Sequence, residues 1–398
     1  MVKPLDGIKV LDLTQYVAGP FCSMLLGDLG AEVIKIENVL GGDVYRTQGP
    51  NFINGESTSF LGVNRNKKSL ALNLKDPKGV RIAHELAIQA DVFLQNFKPG
   101  TAERLGLGYK ALRSNNPSII YASISGYGQT GPESHRGGYD LMAQGRSGIM
   151  DLTGTPGSLP VKVGVPIVDM GAAMYAVMGI VSALFEREKT GEGKSIDVAL
   201  FDTAISWFSI LALEYQATGK LPTKMGSASP LFAPYQAFRA RDGYICVIGT
   251  GGKDHWERFC KVIGHEEWIE DSRFSTNSNR VANLDDLSKL IEDVLVTKSV
   301  SEWVVLLTEA GLACDPIQTI DQMLVDPSAL ARDMIVEVDH ARAGRVKMIG
   351  NPIKFSGKSV KFNQLPPSKG ENTIEILMKL GYTEDFINKL CNENVIFG

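Results

Sequence analysis

Ile8-Lys-Val-Leu-Asp-Leu13, Thr14-Gln-Tyr-Val-Ala-Gly-Pro20 and Gly30-Ala-Glu-Val-Ile-Lys-Ile-Glu37 decide the fold. The first, and residues 32–36 of the last up to Glu37, are short aliphatic runs with strand character, and residues 20–29 between them have helical spacing that Gly30 stops, so the chain opens as strand, helix, parallel strand. The alternation continues outward. Strands at Ser69–Leu74, Asp91–Gln95 and Ser118–Ser123 alternate with helices at Lys78–Gln89 and Thr101–Leu105, which predicts a doubly wound α/β sheet. Residues 170–188 are apolar nearly all round and are predicted as a buried helix, with a strand at 195–199 and a helix over 202–218 after it.

The polar, turn-rich stretch Gly219-Lys-Leu-Pro-Thr-Lys-Met-Gly-Ser-Ala-Ser-Pro230 reads as a linker. It divides a large first portion, 1–218, from a linker and small α+β domain, 219–330. That domain has strands at 235–239 and 244–248 and helices near 253–263, 283–296 and 301–310. Residues 331–398, with strands near 335–339 and 345–349 and a terminal helix near 373–392, are expected to return to the large domain. At 398 residues and 44% hydrophobic composition, each domain can bury a core. A net charge of -4 argues against a nucleic-acid partner or a polybasic membrane contact. No window reads as a clean membrane span and no targeting segment is visible, so no membrane partner is expected. Five cysteines, odd in number and without metal spacing, fit a reducing, cytoplasmic setting and predict no metal site.

A βαβ opening that ends in Glu37 invites a dinucleotide reading, but the first turn holds one glycine and a proline where the fingerprint needs several glycines. Gly193-Lys194-Ser195 mimics the end of a phosphate-binding loop, yet Glu188 occupies the earlier glycine position and a strand follows. Gly249-Thr250-Gly251-Gly252 suits a ligand loop and a plain tight turn equally. The stretch from Asn96 to Arg104 is more informative, because it leaves the carboxyl end of a strand and enters a short helix. There Lys98 and Arg104 can converge on a phosphate, aided by Thr101 and the helix N-terminus, with Lys75 as a third cation; a solvated basic turn is the competing reading. Asp169 closes Val163-Gly-Val-Pro-Ile-Val-Asp169 ahead of Met170-Gly-Ala-Ala173. A carboxylate on the first turn of such a helix is placed to attack an acyl group, although most aspartates at such junctions only cap the helix.

These segments, with Asn64-Arg-Asn-Lys-Lys-Ser69, Asn96-Phe-Lys-Pro-Gly100, Ser125-Gly-Tyr-Gly-Gln-Thr-Gly-Pro132 and Pro234-Tyr-Gln-Ala-Phe238, together resemble the class III CoA-transferases, the formyl-CoA and carnitine CoA-transferase family. The resemblance implies a Rossmann-like large domain, a smaller α+β domain and an interlocked homodimer. It implies that Asp169 is the nucleophile, with acyl-CoA and a carboxylic acid as substrates and no tightly bound cofactor. It places coenzyme A contacts on Val17, Ala18, Asn73, Lys75, Asn96, Phe97, Lys98, Arg104, Arg136, Tyr139 and Asp140. Oxyanion donors are expected near Ala18 and Gly171 or in the small-domain loop. In the sister racemases a histidine precedes the aspartate of the Gly137-Gly-Tyr-Asp140 slot, and here that position is Tyr139, which favours transfer over α-proton exchange. A CoA-binding protein without activity is the remaining alternative.

Within the family the chain looks most like the succinyl-CoA:dicarboxylate, glutarate-type branch, through Gly55-Glu-Ser-Thr-Ser-Phe60 among others. Arg46, Arg136 and Tyr139 are candidates to clamp a second carboxylate. The chain also departs from its family. The segment matching a glycine-rich flap, Met225–Pro230, has one glycine; Asn38 replaces a basic residue; and Gln15 and Val17 stand where the formyl-CoA enzymes carry histidine and glutamine, which argues against oxalate as acceptor.

Overall fold

Alternating aliphatic segments of four to six residues form the central sheet: β1 (Lys9–Asp12), β2 (Glu32–Glu37), β3 (Lys67–Leu72), β4 (Val92–Gln95), β5 (Ile120–Ser125), β6 (Ser195–Ala199) and the short β7 (Ile396–Phe397). A computed structural model describes residues 3–249 and 254–398, so most of the Gly249–Gly252 candidate lies outside the described residues. The sheet order is β7-β3-β2-β1-β4-β5-β6, parallel except for β7, which pairs antiparallel with β3. That order reverses direction between β1 and β4, where open α/β sheets leave a crevice at their carboxyl edge.

Helices cover both faces, as a parallel sheet requires. On one side α1 (Ala18–Asp28) packs with α4 (Ile167–Thr190) and α5 (Leu200–Ser206), joined by α3 (Asp140–Ser147). On the other lie α2 (Pro77–Ile88), α7 (Thr373–Lys379) and α8 (Glu384–Asn392). The helix expected over 202–218 is two: α5 ends at Ser206, and α6 (Ser209–Thr218) starts after Trp207 and Phe208. The terminal helix is likewise broken, at Gly381, whose φ of 90° a continuing helix does not allow.

The chain divides into two compact units, Met1–Ile149 with Val163–Thr218 and Pro327–Gly398, and Met150–Lys162 with Gly219–Asp326. The linker-based boundary gave no hint of the short Met150–Lys162 excursion. In the second unit Tyr235–Arg239, Tyr244–Ile248 and Ala313–Pro316 form an antiparallel sheet. A core around Phe259, Phe274, Leu287, Ile291 and Trp303 packs with it.

Helix α4 corrects two expectations. By length and composition it could span a membrane, with mean hydropathy 1.8 over its best window, whereas the sequence reading found no such run. It is also not buried all round. Gly171, Ala172, Ala173, Ala176 and Ile180 face the core, while Met174, Met178 and Phe185 are exposed, Phe185 by 65%. Its buried side is made of small residues because α1 and the sheet come close there.

Candidate active site

A cleft open to solvent lies at the carboxyl edge between β1 and β4. Loop Gln15–Ala18, loop Asn96–Pro99, the end of β5 and the segment Arg136–Tyr139 line it, together with Leu200 and Asp169.

Behind the β1–α1 loop lies a buried charge network. Asp12, at the end of β1, accepts from Thr14 N at 2.8 Å and from the Ser23 hydroxyl at 2.6 Å, with the Lys67 ammonium at 3.3 Å. Burial opposes its charge, but Lys35, Lys67 and the two hydroxyls hold its carboxyl below the usual range. Lys67 carries the burden of that arrangement, since burial lowers its ammonium to about 8. Lys35 pairs with Asp43 at 2.8 Å and donates to the Thr14 carbonyl at 2.6 Å. Asp43 in turn accepts the N–H of Tyr16 at 3.3 Å. The β1–α1 loop is therefore pinned from below, which sustains a φ of 67° at Tyr16, costly for a non-glycine residue.

Asn96 braces the same loop from the side, donating to the Gln15 carbonyl at 2.7 Å and accepting the Gln15 N–H at 3.0 Å. Its side chain keeps one hydrogen and one lone pair for a ligand. Val17 and Ala18 follow at the start of α1, which has no capping side chain, and both line the cleft. Phe97 and Lys98 line the opposite wall. Among the described residues no carboxylate pairs with Lys98. Arg136 and Tyr139 also face the cleft, but Arg136 is neutralised by Glu133 at 2.9 Å. Tyr16 stacks edge-on against Tyr45 and Tyr139, with centroids 5.5 and 6.0 Å apart.

Tyr139 is aimed by a contact that sequence reasoning missed. A Cβ on Gly138 would fall 2.5 Å from the Gly126 Cα, and the reverse holds, so the two backbones touch and only glycine fits either position. Gly126-Tyr-Gly128 and Gly137-Gly138 were the available signal.

Asp169 stands on the first turn of α4, half-buried at the cleft. Burial, and then the charge of Asp140, pushes its carboxyl up to about 7. A Cβ on Gly171 would meet Trp207 Cζ2 at 2.4 Å, so its lack of a side chain makes room for an indole ring. Asp140 turns its carboxylate to the N–H groups of Val168, at 2.8 Å, and Asp169, at 3.3 Å.

The remaining expected contacts lie outside the cleft lining. Asn73 accepts the Lys75 N–H in a turn after β3, with Lys75 exposed. Arg104 is exposed and donates to the Thr101 hydroxyl at 2.9 Å. Arg46 is not available as a clamp, because Glu37 holds it bidentately at 2.6 and 2.7 Å and Phe60 lies under its guanidinium. The same pair, with Ser69 on Glu37 at 2.6 Å, leaves Glu37 unable to serve a ribose. No histidine is among the residues lining the cleft, so a racemase would lack its imidazole there.

A doubly wound sheet whose cleft brings a half-buried carboxyl to the start of a helix is an arrangement compatible with acyl-transfer chemistry. The profile of CoA-transferase family III matches residues 5–373, and the chain belongs to that family. Human succinyl-CoA:glutarate CoA-transferase is 40% identical over 99% of this chain and 90% of its own length. Acetyl-CoA:oxalate CoA-transferase of Acetobacter aceti is 40% identical over 89% of this chain and 90% of its own. The crystal structure of a CaiB/BaiF family protein from Brucella suis, 38% identical, superposes with a TM-score of 0.86 over 96% of this chain and all of that one.

Proposed function

We propose that this CoA-transferase works through Asp169, taking succinyl-CoA as donor and a dicarboxylate of the glutarate type as acceptor. One observation carries the reading: the Asp169 carboxyl is held near neutrality in a cleft that also presents the uncapped N-terminus of α1. The substrates follow from the names of the relatives, several of which act on succinyl-CoA and a dicarboxylate.

In the first step an Asp169 oxygen bonds to the thioester carbonyl carbon and the C–S bond breaks, giving a mixed anhydride and CoA thiolate. The thiolate then attacks the aspartyl carbonyl, releasing the donor carboxylate and leaving an aspartyl-CoA thioester. The acceptor carboxylate attacks that thioester to form a second anhydride, and the returning thiolate resolves it into the new acyl-CoA and free Asp169. Every step exchanges one activated acyl group for another, so the sequence balances without a further reactant. Each oxyanion needs donors, and the N–H groups at Val17 and Ala18 are suited to supply them. Phe97, Lys98, Arg136 and Tyr139 are read as contacts for the near end of coenzyme A, Asn73, Lys75 and Arg104 as contacts for its outer phosphates, and Asn96 as a brace with capacity for one contact. The exposed apolar side of α4 supports a homodimer of the interlocked kind.

The test incubates the protein with succinyl-CoA and a panel of acids that includes glutarate and oxalate, and follows new CoA thioesters by mass spectrometry. Hydroxylamine trapping and peptide mapping then locate the activated carboxyl. The label is expected on Asp169, and Asp169→Asn should bind CoA without transferring it. A label elsewhere, or transfer unchanged in the variant, overturns the reading.

A further inference from the structure

Asp140 and Gln144 build a hydrogen-bonded chain around the segment that carries the nucleophile. Gln144, fully buried, accepts the Val163 N–H at 2.9 Å and donates to Asp140 Oδ2, while Asp140 Oδ1 receives Val168 N at 2.8 Å and Asp169 N at 3.3 Å. Both ends of the stretch from Val163 to Asp169 are thereby fastened to α3. A negative charge suits helix N–H groups, but here it also stands beside a second carboxyl. An amide or hydroxyl oxygen would accept the same N–H groups without opposing the neighbouring carboxylate.

We propose that Asp140 is a positioning residue for Asp169, fixing the backbone that carries the nucleophile and holding a like charge beside it that keeps its oxygens strongly nucleophilic. This role rests on Asp169 being the acyl carrier. The charge is not diluted by a close cation. The groups facing Asp169 from the packed elements are Tyr16 on the β1–α1 loop, Tyr45 on the turn after β2, Lys98 on the loop after β4, Arg136 and Tyr139 ahead of α3, and Asp140 itself. Of these, Lys98 and Arg136 are exposed and Arg136 is already paired. Removing the charge of Asp140 makes the Asp169 carboxylate easier to form and a weaker nucleophile, because basicity and nucleophilicity fall together.

The test is the pH profile of kcat/KM, with kcat and KM measured separately, in Asp140→Asn and in the double variant Asp140→Asn/Gln144→Glu. In the double variant every N–H of the chain again meets an acceptor, so it serves even if the single variant does not fold. Asp140→Asn is expected to move the rising limb toward acid by about one pH unit. It should lower kcat on the order of tenfold with KM for acyl-CoA little changed. The double variant, which returns a charge one turn further away, is expected to lie between the two. Profiles that superimpose on the parent protein overturn the proposal. Hydroxylamine labelling of the same variants separates the two readings: a label on Asp169 with unmoved profiles removes only the role of Asp140, whereas a label on another residue removes the assignment of Asp169 itself.

Discussion

Asp169 answers opposing demands. A carboxylate in bulk water is a poor nucleophile toward a thioester, and one stripped of solvent is costly to ionise; a carboxyl raised to about 7 lies between these limits. The rate constant kcat/KM should therefore rise with pH along a limb of apparent pKa about 7, and a limb near 4 would remove the desolvation argument. Stability must run the opposite way. Because the folded value exceeds the unfolded value of about 3.9, ionisation penalises the fold above that pH, and the penalty is complete beyond about pH 7. Asp169→Asn should thus be more stable than the parent at pH 8, by up to about 4 kcal/mol, and equal to it near pH 4, as read by chemical denaturation at the two pH values. The sequence marked Asp169 through its place before a helix of small residues. It did not show that the residue would be drawn partly out of solvent, because the walls around it come from loops far apart in the chain.

At the scale of elements, the strands were legible because each is a short aliphatic run punctuated by glycine or a helix cap, and β1, β2, β4 and β5 fall within two residues of expectation. Elements decided by tertiary contact were not. Helix α3 is short and mixed in polarity, with Asp140 reaching across to α4, and no periodicity announces it. The break between α5 and α6 is packed rather than encoded by a proline, with Trp207 resting on Gly171. The site reads similarly: the loops after β1 and β4 line the cleft, at the strand ends where a sheet of this kind leaves a crevice, while the candidate clamp Arg46 was lost to a buried partner, Glu37. The contact of Gly126 with Gly138 offers a test at this scale. Gly138→Val must push apart backbones that touch, so urea unfolding should show a loss of about 1–3 kcal/mol together with reduced transfer, since Tyr139 moves with the segment. Parent-like stability and activity would mean that the loops yield freely.

For the whole molecule, one helix among the described residues is long and apolar enough for a membrane, and it lies half-covered in a sheet protein, while α6 exposes Ile210 and Leu213 by 68% and 66%. Scattered apolar residues need no explanation, but two helices that each expose several do. In the proposed homodimer that surface is covered by the second copy. Phe185→Asp with Leu213→Asp should then yield monomers or insoluble chain by light scattering, and a soluble dimer with both changes would move the interface elsewhere. No pattern within the sequence separates such a face from a buried one, because both are simply apolar. Ile396 and Phe397 occupy the outer edge of β3, against Leu72 and Ala71, so this two-residue strand is what shields that margin of the sheet. Were β7 to peel away, β3 would offer neighbouring chains an open template for strand addition.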